Sequence, residues 1–322
     1  MKKILLAVTA ALAITGCSQN EEFDVQNQNA EINFTTTVGK SIRAAEADIT
    51  TLQTNGFKLY AYNTGEKEMA NVTSLDAATI TETLSYKDNA WNFTTGPYYW
   101  PLNENLQFFG YSPATPTLWT ATGQWPTFKY EVQTEQEDLL AVATLNKKKT
   151  ASAAFGSVQL TFKHILTQIN FKLTGKDAGF DYSVTKITIS EVYPEGTYTY
   201  NGDKGSWVTG GTTKAYEYAI TSPVKVAEQA EVSLGTGNNS LMLIPQAVTA
   251  IQVSVEYSTT LKGDTKSVYS GEKTVTLTGS AWGVGQKILY TVTLPSGAEE
   301  ISVSPTVDPW NGGAENPGTT TE

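Results

Sequence analysis

The segment Ile251-Gln252-Val253-Ser254-Val255-Glu256-Tyr257 places an apolar side chain at every second position. A strand has a side-chain period of two, so this pattern buries one face and wets the other. The same alternation returns at Val158-Gln-Leu160-Thr-Phe162, at Ile187-Thr-Ile189 and at Ile288-Leu-Tyr290-Thr-Val292-Thr-Leu294. Near the N-terminus it runs through Ile32-Asn-Phe34-Thr-Thr36-Thr-Val38. Gly, Asn and Pro turns stand between such segments, and the chain is rich in Thr, Tyr and Val, which suit a pleated surface. We therefore expect an all-β fold of half-buried antiparallel strands packed as sandwiches. Helical periodicity is scarce, with a turn or two expected within residues 74–84.

Working outward, the polar stretch NKKKTASAAFG at residues 146–156 separates two groups of apolar strands. It reads as a domain boundary, with Lys147, Lys148 and Lys149 as a solvated loop. The expected organisation is one sandwich over residues 31–155 and a second over 156–310. Residues 311–322 hold too little apolar surface to order themselves and read as a flexible polar tail.

The N-terminus is MKKILLAVTAALAITGC. Lys2 and Lys3 precede an apolar run of about eleven residues, shorter than the roughly 20 needed to span a bilayer. Ile14-Thr15-Gly16-Cys17 then matches a lipobox, in which small residues precede a cysteine that becomes acylated. Residues 1–16 read as a lipoprotein signal peptide and residues 17–30 as a flexible tether. Cys17 is the sole cysteine of the 322 residues, so the fold has no disulfide and rests on its core. Removing the first 16 residues leaves 306, ample for two domains. It also removes two lysines and moves the formal charge from −10 to −12. So acidic a chain is a poor partner for nucleic acid, whose phosphates call for Lys and Arg. Ser18-Gln19-Asn20-Glu21-Glu22-Phe23-Asp24 has the polar, acidic character of a signal for the outer face of an outer membrane, or of a plain solvated tether.

Catalytic chemistry is sparse. His164 is the sole histidine, set in the strand-like Phe162-Lys163-His164-Ile165-Leu166. That context favours a structural histidine over a general base. No His/Cys grouping has metal-ligand spacing, and no Gly-rich phosphate loop is present, so no metal or cofactor is expected. Glu135, Glu137 and Asp138 form an acidic patch without the loop pattern of a calcium site. Paired carboxylates for glycoside hydrolysis are identified by separation in space, and nothing local favours them. Trp91, Tyr98, Tyr99, Trp100, Trp119 and Trp125 crowd the first half. Such rings either fill a core or, at Trp119 and Trp125, face a ligand such as a sugar.

One imbalance stands out. Of 22 basic residues, 21 are lysines, and the single arginine is Arg43. It follows the alternating strand at 32–38, so an arginine-specific protease could cut once and separate that strand from the rest. Composition alone does not distinguish this from an ordinary surface cation.

Taken in order, the motifs resemble a known family. After the lipobox come Ile32-x-Phe34, the lone Arg43 and Phe57-Lys-Leu59-Tyr60-Ala61-Tyr62. Next are Trp91-x-Phe93, Tyr98-Tyr99-Trp100-Pro101, Leu106-x-Phe108-Phe109-Gly110-Tyr111-Ser112-Pro113 and Gln136-x-Asp138-Leu139-Leu140. The second half adds Val158-x-Leu160-x-Phe162-x-His164, Gly196-Thr197-Tyr198, Leu243-Ile244-Pro245-Gln246, and Trp282 to Gly285 before Tyr290. Each is weak alone; together they resemble the fimbrillin family, the lipoprotein-derived pilins of type V pili and their Mfa-like relatives.

The resemblance implies two tandem transthyretin-like β-sandwich domains, export as a lipoprotein through Cys17, and a cut by an arginine-specific protease at Arg43. The strand carrying Ile32, Phe34, Thr36 and Val38 would then be displaced, and sister fimbrial subunits would be the partners. Location would be the outer membrane surface, through the lipid anchor, and the fimbrium, with adhesion to a host or bacterial surface ligand and no enzyme activity. One departure is visible. Polymerising relatives carry an extended apolar donor at the C-terminus, whereas Ile301-x-Val303-x-Pro305-x-Val307-x-Pro309-Trp310 holds two prolines, which belong at sheet edges. This points to a tip or accessory subunit. The alternatives are a stand-alone surface lipoprotein that binds glycans and, more remotely, a hydrolase.

Overall fold

A computed structural model describes residues 30–310 of the chain, apart from 40–46, 115–117, 121–122, 134–136, 151–155, 203, 228, 235–239 and 280. Among these residues, strands dominate and form four sheets, as the alternating segments require. Labels follow chain order. The largest sheet has seven strands in the order β1 (Phe34–Val38), β9 (Val158–His164), β8 (Leu140–Lys148), β5 (Asn105–Ser112), β2 (Phe57–Asn63), β3 (Ile80–Lys87) and β4 (Ala90–Phe93). A four-stranded sheet runs β13 (Lys204–Gly210), β12 (Glu195–Asn201), β7 (Thr127–Glu131) and β6 (Leu118–Thr120).

Two further sheets come from the second half. One runs β16 (Glu231–Ser233), β10 (Thr167–Gly175), β20 (Gln286–Leu294) and β21 (Ser302–Pro309), with β17 (Leu241–Leu243) also on β10. The other runs β14 (Lys214–Tyr218), β11 (Phe180–Val192), β18 (Gln252–Leu261) and β19 (Ser267–Thr276), with β15 (Val224–Val226) also on β11. The segment quoted first forms most of β18, and Val253, Val255 and Tyr257 are buried while Glu256 is exposed.

Two cores follow from this layering. One face of the seven-stranded sheet closes on Ile32, Phe34, Phe57, Trp91, Phe108 and Phe162 with their neighbours. The opposite face packs through Tyr60, Tyr62, Phe109 and Tyr111 onto the four-stranded sheet, in a larger core that continues into the second half. Strand β5 lies between the two and is buried at all eight residues. The sheets cross the seam expected near residue 155: β9 belongs to the first sheet, and β12 of the second half pairs with β7 of the first.

Several expectations need correction. Strand pairing is not uniformly antiparallel, since β1 runs parallel to β9 and β10 parallel to β20. Alternation decides which face is buried, not which neighbour a strand takes. Residues 74–84 hold no helical turn, and their end begins β3. Among the described residues the α-helix is α1 (Ile49–Asn55), started by Asp48, whose side chain accepts from the Thr51 amide at 2.8 Å. It stops at Gly56, which has φ +65° and no room for a Cβ against the Leu84 carbonyl oxygen, 2.5 Å from the ideal Cβ position. The lysine run is not a solvated loop. Lys147 and Lys148 continue β8 against Leu106 and Asn105, and Lys149 is buried.

Candidate functional site

The site is built around residues 30–39. Glu31 bridges Tyr99, and the Ile32 amide donates to the Tyr98 carbonyl at 2.8 Å while the Trp100 amide donates to the Ala30 carbonyl at 3.0 Å. The chain then enters β1, which pairs residue by residue with β9 from Phe34 opposite Val158 to Val38 opposite Phe162. Hydrogen bonds from the Val158 amide to the Asn33 carbonyl and from the Gly39 amide to the Phe162 carbonyl close both ends. β1 ends its sheet, so β9 is its sole ladder partner among the described residues.

Alternation sorts the side chains. Ile32 and Phe34 are buried, and Phe34 meets Phe93 and Phe108 edge-on at 5.7 and 5.5 Å. Thr36 turns the same way and accepts from the Trp91 indole Nε1 at 3.0 Å. Val38 packs half-buried against the same core. Thr35 and Thr37 face outward, where Thr35 donates to Gln159 Oε1 at 2.9 Å. Trp91 lies on β4, so the sheet coils until its two outer strands touch across this bond. β9 in turn ladders with β8 only at His164 and Lys163, so most of its register is supplied by β1.

The segment around Tyr98 is fixed from the other side. Glu82, buried on β3, accepts from the Tyr98 hydroxyl at 2.6 Å and from the Thr95 hydroxyl. Burial, the largest single influence, raises its carboxyl; hydrogen bonds from Thr95 and Tyr98, with backbone donors, outweigh it and leave the group below its ordinary value.

On the far side of residues 40–46, the Ala47 amide donates to Asp138 Oδ2 at 3.2 Å. The same carboxylate meets His164 Nδ1 at 2.6 Å, and the His164 ring stacks on Trp310 at 4.1 Å. His164 is fully buried in this structural setting, and the Asp138 carboxylate turns inward to meet it. Position 135 lies outside the described residues.

Trp119 and Trp125 are partly buried and pack against the larger core. Trp119 stacks on Tyr60 at 3.8 Å and donates to the Tyr62 hydroxyl at 2.8 Å, and Trp125 packs against Phe109. Both join the core that holds the first sheet to the four-stranded one. Cys17 and Arg43 lie outside the described residues. Sequence reading missed the Trp91–Thr36 bond and the Asp138–His164 pair, because partners 55 and 26 positions apart carry no local signal.

Comparison with known proteins gives three findings. A family profile described as fimbrillin-like matches residues 42–310. The fimbrium subunit Fim1C of Phocaeicola vulgatus is 25% identical over 96% of each chain. Among solved structures, a fimbrial protein from Bacteroides vulgatus matches with a TM-score of 0.63 at 20% identity, over 88% of this chain and 100% of that one. A candidate cell adhesion protein from Bacteroides uniformis matches with a TM-score of 0.51 at 18% identity, over 87% and 98%.

Proposed function

The chain belongs to the fimbrillin-like family, and from that premise we propose that it is a fimbrial subunit activated by removal of its first strand. Residues 1–16 direct export, Cys17 carries the lipid anchor, and residues 17–30 tether the protein to the outer membrane surface. Two tandem sandwiches form the body. An arginine-specific protease cuts at Arg43, the strand bearing Ile32, Phe34, Thr36 and Val38 leaves, and a strand from a sister subunit takes its place. The activity is assembly and adhesion, with no catalytic step.

The observation that carries this reading is the way residues 32–38 are seated. They ladder with β9 on one side, fill an apolar slot with alternate side chains, and are joined onward through the segment holding the single arginine. Losing such a strand uncovers unpaired backbone groups and apolar pockets, which another strand can satisfy in register. The match over residues 42–310 supports the reading, because it spans the body that would remain after the cut. So does the C-terminal segment, already paired with β20 as an edge strand, with Pro305 opposite Tyr290. A chain so built receives a strand more readily than it gives one, which suits a tip or accessory subunit.

The test is native digestion of the mature protein with an arginine-specific protease, followed by intact mass and circular dichroism. One cut after Arg43, leaving a folded remainder, is expected. Resistance at Arg43, or loss of the β signal once cut, would overturn the reading.

A further inference from the structure

Resting on the strand-replacement reading above, we infer that the slot selects its incoming strand by a four-position rule. The strand must offer an aliphatic residue, then an aromatic, then a hydrogen-bond acceptor, then an aliphatic, each separated by one outward-facing residue. The resident strand shows what each position meets. Ile32 is fully enclosed, and Phe34 sits edge-on between Phe93 and Phe108. Val38 closes the far end of the slot.

The third position discriminates most sharply. Trp91 is buried, with Phe57 edge-on at 4.7 Å and Tyr86 edge-on at 5.1 Å, and its Nε1 donates to Thr36 Oγ1 at 3.0 Å. Valine has the shape of threonine without the acceptor. A strand with valine there would cover the indole N–H and leave it unsatisfied, which costs more than the bond contributes. Serine or threonine satisfies it.

The rule also excludes one obvious donor. The C-terminal strand of a second copy, aligned as Ile301-x-Val303-x-Pro305-x-Val307, puts valine at the aromatic position and proline at the acceptor position. No shift by two residues repairs both. The occupant is therefore not that C-terminal strand; with the first strand cut away from each mature copy, it is a strand from a different subunit, with the order aliphatic, aromatic, Ser/Thr, aliphatic.

The experiment uses the full mature chain nicked after Arg43 and an excess of synthetic peptide spanning residues 30–39, with uptake read by native mass spectrometry. The native peptide and its Thr36→Ser form are expected to be taken up comparably, and the Thr36→Val form about tenfold less well, equivalent to about 1.4 kcal/mol. Trp91→Phe, which removes the donor, is expected to abolish that preference. Equal uptake of the Val and Thr peptides by the wild-type chain would overturn the rule while leaving strand replacement standing. Uptake of no peptide by a nicked, folded chain would overturn strand replacement itself. The peptide series on the wild-type chain decides the matter even where the Trp91 variant does not fold.

Discussion

Glu82 links a titratable carboxylate to the seating of the first strand. Its carboxylate holds the Tyr98 hydroxyl, and the Tyr98 carbonyl accepts from the Ile32 amide. Because its folded value lies below the ordinary 4.5, the charged form favours the folded state. That contribution is complete above the unfolded value and is lost as pH falls through the folded one. Glu82→Gln is therefore expected to lower stability near neutrality by about 1.5 kcal/mol, the scale of a hydrogen bond to a charged group. It should also flatten the loss of stability on the acid side of the ordinary carboxylate value, and urea unfolding at neutral and at acid pH checks this. An unchanged acid limb in the variant would mean that other carboxylates set it. The residue scale also marks what a sequence can say. His164 was legible as buried from Phe162, Ile165 and Leu166 beside it, whereas its partner Asp138 was not. The aromatic crowd was plain, yet Trp119 sits on a three-residue strand, too short for alternation to tell inward from outward.

At the scale of elements, α1 illustrates a signal present and unused. Asp48 three residues before Thr51, with Gly56 after the last turn, is a start and stop pair. Seven residues show barely two turns, and Leu52 alone is buried, so no apolar stripe drew attention to it. Asp48 also holds its carboxyl below the ordinary range, first through the Thr51 amide. Asp48→Ala is expected to lower stability by about 1 kcal/mol, as loss of an N-cap does. The denaturant midpoint should fall with the slope unchanged; a changed slope would mean that the segment after Arg43 had come loose as well. The lysine run misled for a related reason. Three consecutive charges read as loop, but β5 supplies backbone partners opposite Lys147 and Lys148, and long side chains can bury their stems. Parallel pairing of β1 with β9 was hidden because the partners lie more than 120 positions apart.

At the scale of the whole molecule, the division near residue 155 that composition suggests is bridged by backbone and side chains. β12 ladders with β7 over five residues, and the Tyr200 hydroxyl donates to the Gly110 carbonyl at 2.6 Å. The larger core draws Tyr60, Phe109 and Phe128 from the first half together with Tyr198, Tyr200 and Trp207 from the second. Elements that share one core and one sheet unfold together, since breaking the interface exposes apolar surface on both sides. The intact chain is therefore expected to show one thermal transition, coincident by tryptophan fluorescence and far-ultraviolet circular dichroism. Tyr200→Phe should shift that transition downward by about 1 kcal/mol without splitting it. The first strand belongs to the smaller core alone, so a chain nicked after Arg43 and stripped of residues 32–38 should keep the transition at reduced temperature. Refilling the slot with a matching peptide should raise it again, by an amount that grows with peptide concentration, because ligand bound only to the folded state stabilises by mass action. Two separated transitions in the intact chain would mean that the halves fold independently. Loss of the first strand would then be felt in one of them only.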